Sequence, residues 1–275
     1  MTRILKIISL LILLTIPSVS AQDSLPRPVT SSYRIEIGRG EARSTYLSPL
    51  KYSGTALGVS GEWQKAFQKN PEHIVMTFAG EMTYANMLNS PATARMYQFE
   101  ARFNWGMAYR QRLPYNLQFT VGGLLDINGG ALYIPRNGNN PVTVLANIGI
   151  DADASLSWHF NIGKLPLLLT ESVKLPAVGA FFSPQYGETL YEVYLGNHKG
   201  LAHCGWWGNN FGIDNYLSIR LDFGRTAMEL GYRYDYRSFH ASDLTTRRSR
   251  NMFVIGIIPH GIGLKNKRKA NYAGY

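Results

Sequence analysis

From Tyr97 to Tyr109 every second residue is large or apolar: Tyr97, Phe99, Ala101, Phe103, Trp105, Met107 and Tyr109 alternate with Gln98, Glu100, Arg102, Asn104, Gly106 and Ala108. A period of two over this length requires an extended strand with one apolar and one polar face. Past a turn at Leu113 and Pro114 the pattern resumes, with Leu117, Phe119, Val121, Leu125 and Ile127 set against Gln118, Thr120, Gly122 and Asp126. Such strands exceed the roughly 5 to 6 residues usual in soluble sheets. Their bulky aromatic face suits a wall against lipid better than half of a soluble sandwich, which would have to bury every such face.

The same alternation recurs along the chain. It appears at Tyr33–Ile37, Leu57–Trp63, Ile74–Tyr84, Val142–Phe160, Leu167–Ala177, Ile213–Phe223 and Met228–Tyr236, and a tenth stretch, Met252–Ile258, is apolar on both faces. The predicted fold is therefore all-β, an antiparallel up-and-down transmembrane β-barrel of about ten strands. A twelve-stranded version, with Thr189–Leu195 contributing to an added pair, is the alternative. Long connections are predicted at Gly40–Pro49, Asn86–Pro91, Asn128–Pro141, Phe181–Asn210 and Ser238–Arg250, and short ones after the even-numbered strands, the asymmetry of an outer-membrane barrel. An even strand number returns both termini to one side. Trp63, Tyr109, Phe119, Phe160 and Phe223 would then form one aromatic girdle, and Tyr84, Tyr97, Phe211 and Tyr236 the other. Glu171 breaks the apolar face of its strand, which suggests a bulge or a slipped register.

No segment reaches the roughly 20 apolar residues of a membrane-spanning helix, yet 45% of residues are hydrophobic and only 17% charged. A barrel reconciles these, since its lipid-facing positions fall one in two. Arg3 and Lys6, the apolar run Ile7–Ile16 and the small residues Val19-Ser20-Ala21 read as a signal peptide cut after Ala21. The expected organisation is a signal peptide at 1–21, a barrel at 22–262 and a basic tail at 263–275. The net charge of +10 would fall to +8 on cleavage, 26 basic residues against 18 acidic. The expected location is the outer membrane of a Gram-negative bacterium. The expected partners are its lipid and lipopolysaccharide, together with a small-molecule or glycan ligand. Export argues against nucleic acid. Cys204 is the only cysteine, so no internal disulfide can form.

Several stretches also resemble a known group. Tyr46-Leu47-Ser48-Pro49-Leu50-Lys51-Tyr52-Ser53-Gly54, Arg136-Asn137-Gly138-Asn139-Asn140-Pro141, Phe182-Ser183-Pro184-Gln185-Tyr186-Gly187 and Leu230-Gly231-Tyr232-Arg233 are similar to those of an uncharacterised family of Bacteroidota outer-membrane barrels. The resemblance covers most of the mature chain and implies a fold and a location. It carries no assigned activity and no catalytic residues.

Chemistry could sit in three places. Glu100, Arg102, Asp126, Asp151, Asp153, Arg220 and Arg233 are expected inside the barrel with Glu62, Glu81, Lys174, Asp222, Glu229 and Asp235, where charges must pair or stay hydrated. They would make either an internal ion-pair network or the lining of a narrow channel. The aromatic segment from Phe181 to Asn210 offers Tyr186, Tyr191, Tyr194, Trp206 and Trp207 as a ligand-binding surface. Two arrangements fit a membrane-surface hydrolase acting on lipid or peptide: His159 with Ser155, Ser157, Asp151 and Asp153, and His240 with Asp235 and Asp243. Neither has a nucleophile-elbow motif. A non-enzymatic role is the expected one. His198, His203 and Cys204 match no standard zinc spacing, so neither metal nor cofactor is expected.

Overall fold

The computed structural model describes residues 29–196, 199–224 and 226–259. Eleven strands and one short helix follow in chain order: β1 (Val29–Ser44), β2 (Ser48–Ala66), β3 (Ile74–Asn89), β4 (Arg95–Leu113), β5 (Leu117–Tyr133), β6 (Val142–Ile162), β7 (Leu165–Phe182), α1 (Leu190–Tyr194), β8 (Ala202–Gly205), β9 (Asn210–Asp222), β10 (Thr226–Ala241) and β11 (Leu244–Pro259). Ten strands close into an antiparallel ring in chain order, β1 to β7 and then β9 to β11, with β11 pairing back onto β1. The four-residue β8 stands outside this ring and pairs only with the end of β7, Gly179 to Phe182.

The paired residues define the stagger. One circuit of the ladder runs from Met96 through Met87, Gly54, Gly40, Arg250, Asp235, Asp214, Lys174, Asp153 and Gly122 to Ala108. It returns to β4 displaced by 108 − 96 = 12 residues. With ten strands this stagger corresponds to a tilt of about 40°, inside the usual range for barrels. The first and last described residues, Val29 and Pro259, lie at the end closed by the turns after β2, β4, β6 and β9, here called the terminal end. The opposite end is called the loop end.

Alternation sets the two faces as the sequence predicts. Ile35, Phe99, Phe103, Met82, Ile148 and Ile255 point outward and are exposed, whereas Glu36, Glu100, Asp126, Glu229 and Asp235 point inward and are buried. The outer aromatics pack along the ladder, with Tyr84, Tyr97 and Tyr133 stacked in a row near the loop end and Phe78 tilted against Trp105 lower down. On β11, apolar on both faces, Met252, Val254 and Ile258 turn inward while Phe253, Ile255 and Ile257 turn out.

Three expectations are corrected. The segments Gly40–Pro49 and Ser238–Arg250 are not long loops: β1 and β2 are joined by residues 45–47, and β10 and β11 by Ser242 and Asp243 alone. Both of these residues take positive φ, 49° and 62°, the backbone of a tight hairpin turn. Their strands continue as paired ribbons above the apolar belt, and the alternation fades there because the outward positions, among them Arg39, Glu41, Arg43, Arg247 and Ser249, are polar. The long connections at the loop end are residues 134–141 and 183–209.

Thr189–Leu195 is not a strand. The Thr189 hydroxyl accepts from the Glu192 backbone N–H at 3.3 Å, while the Glu192 carboxylate accepts from the Thr189 N–H at 2.7 Å. This reciprocal capping box starts α1. The Thr189 N–H, and then the Thr189 hydroxyl, which also donates to that carboxylate, hold the Glu192 carboxyl below the usual carboxylate range.

Glu171, finally, marks neither a bulge nor a slipped register. It faces outward opposite Leu156 and Leu217, and the Asn215 side-chain amide on β9 donates to it. The irregularity of β7 lies further on, where Ile150 pairs with Val178 and Asp151 with Pro176, so that Ala177 is extruded.

Candidate functional site

The lumen is filled in tiers. Nearest the terminal end, Arg34 donates to Glu229 at 2.8 Å and to Glu62 at 3.0 Å, and its guanidinium lies 5.3 Å from the centre of the Tyr216 ring. Arg220 also reaches Glu229, at 3.2 Å, and the Tyr216 hydroxyl donates to the same carboxylate. Strands β1, β2, β9 and β10 are thereby linked across the interior.

The middle tier crosses the whole barrel. Arg102 on β4 reaches Asp214 on β9 at 3.2 Å and Asp235 on β10 at 3.4 Å. Arg233 reaches Asp214 through two nitrogens, Glu81 at 2.7 Å and Glu36 at 3.3 Å. Arg250 joins Asp235 to Glu81. Toward the loop end, Arg237 bridges Asp126 at 3.3 Å and Asp151 at 3.1 Å, while Arg248 meets Glu100. Asn104 and Asn147 complete the shell of Asp126, each donating at 2.8 Å. Bidentate and shared pairs of this kind compensate the large desolvation cost of burying so many charges.

Above the charges lies an apolar plug that the sequence reasoning missed. Ala42, Tyr52, Ala85, Met87, Met96, Leu132, Ile134 and Leu145 pack together inside the loop end, with Leu47 from the β1–β2 turn. The Asn137 side-chain amide donates to the Leu47 carbonyl at 2.7 Å and to the Asn140 carbonyl at 3.2 Å, tying two connections over the plug. The sequence signal was present: at these strand ends the inward positions turn apolar where a polar lining was expected.

Between the terminal-end and middle tiers a polar chamber of about 110 Å³ remains, bordered by Arg34, Glu62, Lys174, Asp153, Tyr216 and Arg220. It has room for a few water molecules.

The other proposed groups are placed as follows. Ser157 is buried and its hydroxyl is 2.9 Å from that of Thr170, whereas His159 lies further down β6 and borders a shallow pocket with Arg112, Asn116 and Gln118. Asp151 is committed to Arg237. His240 is 2.9 Å from the Thr245 hydroxyl across the β10–β11 hairpin, Asp243 occupies the turn, and Asp235 sits in the lumen between arginines. Ser157, Asp151 and Asp235 are thus each engaged by groups outside the two proposed sets. His203 stacks on Phe181, Cys204 is exposed, and His198 lies outside the described residues.

In the β7–β9 connection Tyr186, Tyr191, Tyr194, Trp206 and Trp207 are all exposed. Trp207 is anchored through its indole N–H to the Pro176 carbonyl, and Trp206 is held by a backbone N–H bond to the Asn209 side chain at 2.8 Å. The connection leans toward the β1–β2 turn, where burial first, and then Glu188 and Glu192, push the Tyr46 hydroxyl pKa up.

An apolar outer wall around an ion-paired interior is the construction of a transmembrane β-barrel, the reverse of a soluble protein. Residues 5–268 match the family model described as Protein of unknown function (DUF3316), and the chain belongs to that family. No curated protein matches the sequence. Among solved structures it is similar to the transport unit of the autotransporter AIDA-I from Escherichia coli, at 8% identity and TM-score 0.47, covering 90% of this chain and 93% of that one. It is also similar to the outer membrane protease OmpT from Escherichia coli, at 9% identity and TM-score 0.47, covering 86% and 99%. The Neisserial surface protein A gives 9% identity and TM-score 0.35, covering 84% and 98%. Their sequences differ from this chain almost throughout, and none of their activities is carried onto it.

Proposed function

We propose that this chain is an outer-membrane β-barrel that acts through its exterior surface, with the loop-end connections as a ligand-binding platform, and that it does not pass solutes. In this reading it is exported by a signal peptide cleaved after Ala21, in a Gram-negative bacterium of the Bacteroidota, and carries no enzymatic activity. The observation that carries the proposal is the stacking of the Arg102–Asp235 tier beneath the Met87–Met96 plug, which sets buried ion pairs and then apolar side chains in the way of a solute. An ion crossing it would have to displace buried ion pairs and then enter an apolar layer, and each is unfavourable by several kcal/mol. The hydrolase alternative finds no support in the separate commitments of Ser157, Asp151 and Asp235.

In planar bilayers the purified protein is expected to give no steady ohmic conductance, whereas a persistent voltage-independent current from wild type would overturn the sealed reading. The platform is tested on a glycan array with detergent-solubilised full chain. Tyr186→Ser combined with Tyr194→Ser is expected to lower any retained signal about tenfold, the loss of one or two stacking contacts. Equal signal from the variant would remove these rings from the binding surface.

A further inference from the structure

On the outer wall of β11, β1 and β2 the apolar positions stop together. Phe253, Ile37 and Leu57 are exposed and apolar, and the next outward residues toward the loop end are Asn251, Arg39 and Thr55, which pair directly with one another. Two residues further stand Ser249, Glu41 and Ser53, and beyond them Arg43 lies opposite Arg247. The change from apolar to polar thus falls within one step of about 7 Å along each strand.

The charges there do not balance. Lys51 meets Glu41 at 2.6 Å, and Arg39 lies 3.9 Å from the same carboxylate. Arg43 and Arg247 are both exposed and, among the described residues, neither has an ion-pair partner. Four cations about one carboxylate leave a local charge of 4 − 1 = +3. Like charges directly opposite on neighbouring strands destabilise a sheet. This pair also lies where the lumen network gives it nothing, since Arg248 and Arg250 on the same strand turn inward.

We propose that this patch binds the phosphorylated headgroup of a glycolipid in the outer leaflet, with Arg43 and Arg247 clamping one phosphate and Arg39 and Lys51 contacting the sugar-phosphate region beside it. The two side chains stand directly opposite one another on neighbouring strands, with Cβ atoms about 5 Å apart, and supply two planar donor forks for a tetrahedral phosphate. Immediately below, Ile35, Ile37, Phe253 and Ile255 form an exposed apolar strip that would take the acyl chains. The proposal rests on the reading of the chain as an outer-membrane barrel.

The test uses the full chain in phosphatidylcholine nanodiscs carrying a minor fraction of diphosphoryl lipid A, with lipid retention read by native mass spectrometry after extraction. Wild type is expected to retain lipid A about tenfold better than Arg43→Gln/Arg247→Gln, and to retain a dephosphorylated lipid A no better than the variant. Arg112→Gln, an exposed arginine at the terminal end, should behave as wild type. Thermal unfolding gives an independent sign. In pure phosphatidylcholine the double variant should be at least as stable as wild type, because repulsion is relieved, and diphosphoryl lipid A should stabilise wild type alone. Equal retention by wild type and double variant in properly inserted protein would overturn the proposal and leave the membrane reading standing. Equal competition by millimolar inorganic phosphate would also overturn it, in favour of a free-anion site. A chain that stays monomeric in water without detergent would instead overturn the membrane reading.

Discussion

Asp235→Ala is expected to be the most damaging single change in the lumen. Its carboxylate accepts from Arg102 at 3.4 Å, is held by Arg250 and lies 4.0 Å from Arg248. All four side chains are buried. Removing the one anion they share leaves guanidinium groups desolvated and short of a partner, a loss of about 3 to 5 kcal/mol. Denaturant unfolding of the barrel in lipid vesicles, followed by the heat-modifiable gel shift, should show the midpoint falling accordingly. The double change Asp235→Leu with Arg250→Met should recover much of the loss, since exchanging both members of a buried pair for apolar groups is close to neutral. If Asp235→Ala stays within about 0.5 kcal/mol of wild type, the range of an ordinary surface substitution, the lumen is wet enough to solvate these charges and the sealed reading fails with it.

The second large effect concerns the outer wall. Ile255 is 57% exposed and is paired on one side with Ile35 and on the other with Leu230. In water an exposed isoleucine can become arginine at little cost. In a bilayer the same change places a charge in hydrocarbon, at about 2 to 4 kcal/mol near the midplane. Ile255→Arg should therefore lower stability in vesicles by that amount, while Ser249→Arg, three outward positions closer to the loop end on the same strand, should be nearly neutral. Equal and negligible effects at both positions would show that the belt around Ile255 does not face lipid.

The parts of this fold that were legible in the sequence are those where one face meets an apolar medium and the other a polar one. Tyr97–Tyr109 and Val142–Phe160 alternate cleanly for that reason, and the inward charges Glu100, Arg102, Asp126 and Arg233 followed from the same count. The strand ends were not legible. Arg39, Glu41 and Arg43 point outward above the belt, so a polar residue there carries no information about face, and pairing with Asn251, Ser249 and Arg247, more than 200 positions away, together with β2, keeps β1 extended. The apolar plug was hidden by the opposite problem, since an inward Met87 or Met96 contradicts the pattern that had identified the barrel. Which arginine meets which carboxylate is also non-local, because it depends on the twelve-residue stagger. The capping box at Thr189 and Glu192 was readable, and the aromatic composition around it drew attention to a strand instead.

The lumen bonds also bear on how the molecule is made. Arg34 and Glu229 are 195 residues apart, Arg102 and Asp235 are 133 apart, and Arg237 and Asp126 are 111 apart. While the last strands are still unpaired, the first ones carry arginines and carboxylates with no counterpart and an open β1 edge. Partial barrels are thus penalised twice, in charge and in backbone, until β11 meets β1. Long-range closure is slow, so a half-assembled sheet needs a surface that shelters its edge and its charges. Once the ring shuts, the same separations make release cooperative: β1, β4, β5 and β10 cannot leave without stripping partners from strands that are not their neighbours.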